Sequence, residues 1–138
     1  MAIWVKECSG WRKTASGRIF IPQPYITASN SVLNDLGAIR RDAVIAIVRS
    51  KAIKYNIDQD LFLRIAKCES GFKADAQNKT STASGVFQFL TSTFTQQAEA
   101  HGLRWTDKND AETQAELAAH MIAEGGLRHW NASKDCWD

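Results

Sequence analysis

One glutamate, Glu69, stands where this chain could carry out acid–base chemistry. The helical pattern before it places Phe62 and Ala66 on the same face, so its carboxyl group should approach the core. Glu69 also falls in the last turn of that helix, where the helix dipole disfavours an anion. Burial and the dipole would both raise its pKa. A carboxylic acid that stays protonated near neutral pH suits general acid catalysis, and an exposed glutamate at a helix end is the plain alternative.

The residues after Glu69 carry a second group of useful side chains. Glu69 is followed by Ser70-Gly71-Phe72, a polar stretch over 73–84, and then Gly85-Val86-Phe87-Gln88-Phe89. A helix start rich in serine and threonine comes next, at 91–94. This arrangement resembles the lytic transglycosylases of the lysozyme-like superfamily, in which a Glu-Ser pair ends a helix and a Gly-aliphatic-Met/Phe-Gln-aliphatic segment follows a polar loop.

The resemblance implies an enzyme that cleaves the β-1,4 bond between N-acetylmuramic acid and N-acetylglucosamine in peptidoglycan, with no metal or cofactor. Glu69 would act as the general acid and then as the general base. Ser70 would hydrogen-bond near the carboxylate, and the stretch 85–88 would form a wall of the sugar cleft. The substrate-binding residues that the resemblance implies are Ser70, Asn78, Gly85, Val86, Phe87, Gln88 and His120.

The chain departs from this family in the third motif. There the family has an asparagine that begins a helix and, about two turns later, a tyrosine that contacts the catalytic pocket. Gln114 takes the first place here, and Met121 or His120 takes the second. Because the two tyrosines, Tyr25 and Tyr55, come earlier in the chain, the pocket hydroxyl is lost, replaced by His120, or supplied by another segment.

A second carboxylate is missing from the segment that follows Glu69. No acidic residue lies between Asp75 and Glu99, whereas most glycosidases use two carboxylates. One carboxylate suffices if the substrate supplies the nucleophile, as the C6 hydroxyl of muramic acid does in lytic transglycosylases when it closes a 1,6-anhydro ring. We therefore favour that reaction over hydrolysis by a muramidase. A catalytically idle peptidoglycan-binding module is a third possibility.

The cysteines suggest a covalent link rather than a zinc site. Cys8, Cys68 and Cys136 have no paired spacing and the three histidines are scattered, so no metal site is expected. An odd number of cysteines allows one disulfide and a leftover thiol. A Cys68–Cys136 bond would hold the end of the chain beside the catalytic helix, and two small buried side chains are the alternative.

Hydrophobic periodicity predicts the elements that position these residues. Helices are expected from about Ala38, from Asp58 to Gly71, from Thr91 to Gly102, and from Asp110 to Glu124. In the first of them, the recurring apolar residues include Ile39, Ala43, Ala46, Ile47 and Ile53. In the third, Phe94 and Ala98 are expected to face inward. The pattern predicts a mainly α single helical domain over 37–138, with an irregular or extended N-terminal arm over 1–36. The resemblance implies that this domain is lysozyme-like.

Composition limits the remaining possibilities. With 138 residues, 44% hydrophobic and 23% charged, the chain is globular rather than disordered. A net charge of +2 is too balanced to indicate nucleic-acid binding, and no apolar run is long enough to insert into a membrane. The partner that the resemblance implies is a peptidoglycan glycan strand, and we expect the chain to be a monomer. A peptidoglycan substrate implies a periplasmic, secreted or virion-associated protein. The first thirty residues lack a secretory signal, which fits a phage protein or an excised domain.

Overall fold

The computed structural model describes residues 3–7, 10–14, 30–103 and 107–138. Two compact units are present, one over 1–31 and one over 32–138. The helical elements are α1 (Asn30–Lys54), α2 (Gln59–Ser70), α3 (Thr91–Ala100), α4 (Ala111–Gly125), a 3-10 helix (Arg128–Ser133) and α5 (Lys134–Trp137). The described chain is thus mainly helical, as the sequence predicted. Within it, no helix combines the length and apolar character that a membrane crossing requires.

The N-terminal unit contains more regular structure than the sequence indicated. Strand β1 (Ile3–Glu7) pairs antiparallel with β2 (Gly10–Thr14), with Ile3 opposite Thr14. The run Ile-Trp-Val at the start of β1 is of the β-branched and aromatic type that favours strands. The extended stretch expected around Pro22 and Pro24 lies outside the described residues.

Helix α1 begins earlier than expected and buries a different face. The predicted start is at about Ala38, yet the helix begins at Asn30 and continues through Gly37, although glycine is costly inside a helix. Val44, Val48 and Ala52 are buried, at a spacing of one helical turn each. The expected apolar stripe is wrong: Ile39 is 63% exposed and Ile53 is 66% exposed. Ala43 and Ala46 are exposed as well, and Ile47 is only partly buried. Apolar residues occur on more than one side of α1, so periodicity alone does not select the buried side.

Helix α2 forms as its sequence predicts. The Asp58 side chain caps its N-terminus by accepting a hydrogen bond from the Leu61 amide at 2.7 Å. Gly71 ends it in the left-handed conformation, at φ +61°. Phe62 and Ala66 are fully buried. These local signals place Glu69 in the last turn of a helix whose inner face belongs to the core.

Aromatic packing joins α2 to the rest of the domain. Phe62 stacks on Phe87 with ring centroids 4.8 Å apart, and Phe87 meets the edge of Trp130. Helix α3 adds its predicted inward residues Phe94 and Ala98. Helix α4 is the most buried element, and its core side chains include Ala115, Leu117, Ala118 and Met121. The core therefore lies between these helices and the turn that contains Phe87.

A disulfide fastens the end of the chain to α2. Cys68 and Cys136 are bonded, which confirms the predicted pair. Arg64 donates to the Trp137 carbonyl at 2.9 Å, and the Trp137 side chain is buried. The end of the chain is therefore held against the helix that carries Glu69.

Candidate active site

A cleft of about 360 Å³ opens beside the end of α2. Glu69 lies in its wall, together with the stretch after the polar loop and the 3-10 helix. Side chains that line it include Asn78, Phe87, Gln88, His129 and Trp130. Among the described residues that line the cleft, Glu69 is the one acidic residue. The cleft combines one carboxyl group with amide and aromatic side chains, which suits a sugar polymer.

The protonation of Glu69 follows from its surroundings. Its side chain is only partly exposed, and burial raises its pKa above the usual range for a glutamate. A hydrogen bond from the Ser133 hydroxyl to Oε1 acts in the opposite direction and offsets only part of the effect of burial. The protonated fraction of Glu69 near neutral pH is therefore larger than that of an ordinary glutamate.

Ser133 is held in place by the end of the chain. Its Oγ accepts a hydrogen bond from the indole Nε1 of Trp137 at 3.1 Å. The Trp130 carbonyl lies 3.0 Å from the same Oγ and is a second acceptor for the hydroxyl hydrogen. The family resemblance implied that Ser70 would bond to the carboxyl group of Glu69. Ser70 Oγ instead donates to the Ala66 carbonyl at 3.2 Å. Helix geometry turns Ser70 back along its own helix, and Ser133 approaches the carboxyl group from a distant part of the chain.

The wall of the cleft is built on a turn at Gly85. At φ +84°, a side chain there would be strained, and a Cβ atom would lie 2.1 Å from Nε2 of Gln114. The fully buried Gln114 side chain accepts from the Phe87 amide at 2.9 Å through Oε1. Its Nε2 donates to the Ser84 carbonyl, also at 2.9 Å. Gln114 thus bonds both sides of the turn and positions the wall from α4.

Of the Gln88 side-chain amide, only the oxygen is available to bond to a substrate. Its backbone is left-handed, at φ +52°. Its Nε2 donates to the Gly85 carbonyl at 2.9 Å and faces the Ala76 carbonyl at 3.3 Å. The carbonyl Oε1 is therefore the atom that remains to accept a hydrogen bond in the cleft. Val86 beside it is fully buried and supports the wall from behind.

Asn78 lines the cleft, and its side-chain oxygen mainly accepts hydrogen bonds from its own loop. Its Oδ1 accepts from the amides of Thr80 at 2.9 Å and Ser81 at 3.1 Å. The amide Nδ2 is the atom that it can present to a ligand. Asn78 therefore has the chemistry to donate to a carbonyl such as that of an acetamido group.

Comparison with known protein families matches residues 46–131 to the transglycosylase SLT domain, over more than half of the chain. The chain belongs to this family. Membership supports the lysozyme-like, all-helical fold and an activity of the peptidoglycan-cleaving transglycosylase type. Glu69 and the wall of the cleft both lie within the matched region.

The structure does not bring His120 to the cleft of this SLT domain. The imidazole Nε2 of His120 lies 2.9 Å from the Tyr55 hydroxyl, and its ring stacks on His101. Tyr55 in turn donates to Glu116 and does not line the cleft. The hydroxyl that meets the Glu69 carboxyl therefore comes from neither of them: it comes from Ser133.

Aromatic and imidazole groups in the SLT cleft complete the site. Trp130 lines the cleft but is 3% exposed, so it is mainly a core residue, as is Trp137 at 2%. Trp105 lies outside the described residues. Sequence reasoning missed His129, which lies beside Trp130 in the wall. Burial and the neighbouring Arg128 lower its pKa, so this imidazole is neutral near pH 7.

We expect Ser133→Ala to reduce activity on peptidoglycan and to move the basic limb of the pH profile upward. The hydroxyl stabilises the charged carboxylate, so its loss raises the pKa of Glu69 further and keeps the acid protonated to higher pH. The rate at the optimum should fall by about tenfold or more, because the carboxyl loses its orienting bond. The measurement is kcat/KM against pH, with Ser92→Ala on the exposed side of α3 as the control. A basic limb that stays in place or moves downward would contradict this role.

Proposed function

We propose that this SLT domain cleaves the β-1,4 bond between N-acetylmuramic acid and N-acetylglucosamine without water, and leaves 1,6-anhydro-N-acetylmuramic acid ends. It would act where glycan strands are found, as a periplasmic, secreted or virion-associated enzyme. The observation that carries the proposal is the half-buried Glu69 carboxyl, whose pKa is raised by burial. Glu69 is also the one acidic residue among the described residues that line the cleft.

Glu69 serves twice in the proposed reaction. The protonated carboxyl first donates its hydrogen to the glycosidic oxygen, and the bond from that oxygen to C1 of the muramic acid residue breaks. The carboxylate then takes the proton of the C6 hydroxyl of the same residue while that oxygen attacks C1. The new C1–O6 bond closes the anhydro ring, and Glu69 returns to its protonated form without any co-reactant.

The position of Asp75 supports a reaction with one carboxylate. Asp75 is the nearest acidic residue along the chain after Glu69. Its side chain is exposed and lines a different groove, between α1 and the stretch after Phe72. It therefore does not pair with Glu69 across the cleft as the second carboxylate of a lysozyme-type hydrolase would.

The hydrogen bond to Ser133 suits both protonation states of Glu69. Ser133 can donate to the carboxylate after the first proton transfer, and the Trp130 carbonyl can receive the hydroxyl hydrogen when Glu69 is protonated. Trp137 holds the serine oxygen in both cases. This arrangement supports an acid that becomes a base within one catalytic cycle.

The test is mass spectrometry of fragments released from purified peptidoglycan in ¹⁸O-labelled water. We expect fragments that end in anhydro groups, one water lighter than reducing ends and without label. Reducing ends that carry ¹⁸O would replace the proposal with a muramidase that activates water. If no fragments appear but the protein sediments with insoluble peptidoglycan, the domain is a binding module.

A further inference from the structure

Three side chains with metal-binding chemistry meet outside the cleft. His101 caps the C-terminus of α3, and His120 and Glu124 lie one turn apart on α4. One donor atom from each lies within 4.8 Å of the other two. None of the three lines the cleft that contains Glu69. The sequence spacing of His101 and His120 did not predict a metal site. The two side chains become neighbours because α3 and α4 pack together.

One donor–donor distance in this cluster matches that of a tetrahedral zinc site. Zinc–nitrogen and zinc–oxygen bonds of about 2.0–2.1 Å separate neighbouring ligand atoms by roughly 3.3 Å. His101 Nε2 already lies 3.4 Å from Glu124 Oε2. The two imidazole rings are stacked with centroids 4.5 Å apart. The Glu124 side chain is 63% exposed, so it can turn toward a bound ion without disturbing the core.

A chain of hydrogen bonds prepares His120 as a ligand. The Tyr55 hydroxyl donates its single hydrogen to Glu116, whose carboxylate also accepts from Lys54 at 2.6 Å. Tyr55 can therefore only accept from His120, and Nε2 of His120 must carry a hydrogen. This tautomer leaves the lone pair on Nδ1. Outer partners of this kind commonly orient metal-binding histidines and strengthen them as ligands.

We propose that His101, His120 and Glu124 form a zinc site that joins the end of α3 to α4. Two imidazoles and one carboxylate suit zinc and similar transition metals, whereas magnesium and calcium prefer oxygen ligands. A water molecule takes the fourth position. Since the site lies outside the cleft, its role is to stabilise the packing of the two helices.

The experiment is a zinc titration of the full chain against a chromophoric chelator, with the thermal unfolding midpoint measured at each zinc concentration. We expect one zinc ion per chain and a midpoint that rises with zinc but not with magnesium. Glu124→Gln removes an exposed ligand with little risk to folding and should weaken zinc binding by at least about tenfold. Tyr55→Phe should weaken zinc binding by a similar factor, because it removes the hydrogen-bond partner of His120. His101→Ala should remove the binding and the zinc-dependent rise together.

Two control variants separate this site from accidental zinc binding. His129→Asn removes the remaining histidine, and Cys8→Ser removes the thiol that is not in the disulfide. Both should bind zinc as the unaltered chain does. Absence of saturable binding by the unaltered chain would overturn the proposal. Unchanged affinity in Glu124→Gln and His101→Ala would also overturn it, as would loss of binding in either control.

Discussion

Glu69→Gln is expected to abolish the release of soluble fragments from peptidoglycan. Glutamine keeps the size of the side chain but cannot donate a proton to the glycosidic oxygen or take one from the attacking hydroxyl. General acid–base groups contribute about 10²- to 10⁴-fold to rates, and here one group performs both steps, so the loss should be at the upper end of that range. The measurement is fragment release from purified peptidoglycan, followed by mass spectrometry.

Asp75→Asn is the matched control for this prediction. It makes the same chemical change in an exposed carboxyl that lines another groove, and we expect activity near that of the unaltered chain. The Glu69 variant should keep its unfolding midpoint and its sedimentation with insoluble peptidoglycan, because Ser133 can still bond to the amide oxygen. Fragment release that survives in Glu69→Gln would remove Glu69 from the catalytic role.

Removal of the disulfide should produce the largest loss of stability. The Cys68–Cys136 bond joins residues separated by 68 positions, and the chain-entropy model then assigns it about 4 kcal/mol at 25 °C. We expect the double variant Cys68→Ser, Cys136→Ser to lose free energy of unfolding of this order. Urea unfolding at neutral pH, followed by tryptophan fluorescence, measures the difference.

The same variant should lose activity even where it remains folded. Ser133 and Trp137 flank Cys136, and the disulfide holds this segment beside Glu69. Without it, the carboxyl should lose its hydrogen bond in a fraction of the molecules and the pH profile should broaden. Cys8→Ser is the control, since Cys8 is not part of this bond. A double variant with unchanged stability and activity would show that packing of Trp137 alone secures the end of the chain.

Local signals in the sequence predicted the elements around Glu69 well. Asp58 and Gly71 mark the ends of the helix that carries it, because capping and left-handed glycine act within one turn of the chain. The inward residues Phe94 and Ala98 of α3 were also correct. Each of these features depends on neighbours three or four residues away, which a sequence displays directly.

The buried side of α1 could not be obtained in the same way. Its apolar residues occur on several sides, and the stripe chosen from periodicity begins and ends with residues that are more than half exposed. Val44, Val48 and Ala52 are buried because that side of α1 meets the core. The choice between similar stripes is made by what packs against the helix.

By itself, the sequence determined the helical class, the position of Glu69 at a helix end and the motif that forms the wall of the cleft. It also named the two cysteines that could pair. Only the tertiary structure decided which hydroxyl meets the carboxyl. Ser133 is 64 residues from Glu69, and Gln114 reaches the Gly85 turn from α4. His101 and His120 likewise become neighbours only after α3 and α4 pack. Helix formation depends on residues within a turn or two, whereas these contacts depend on how whole helices pack around a shared core.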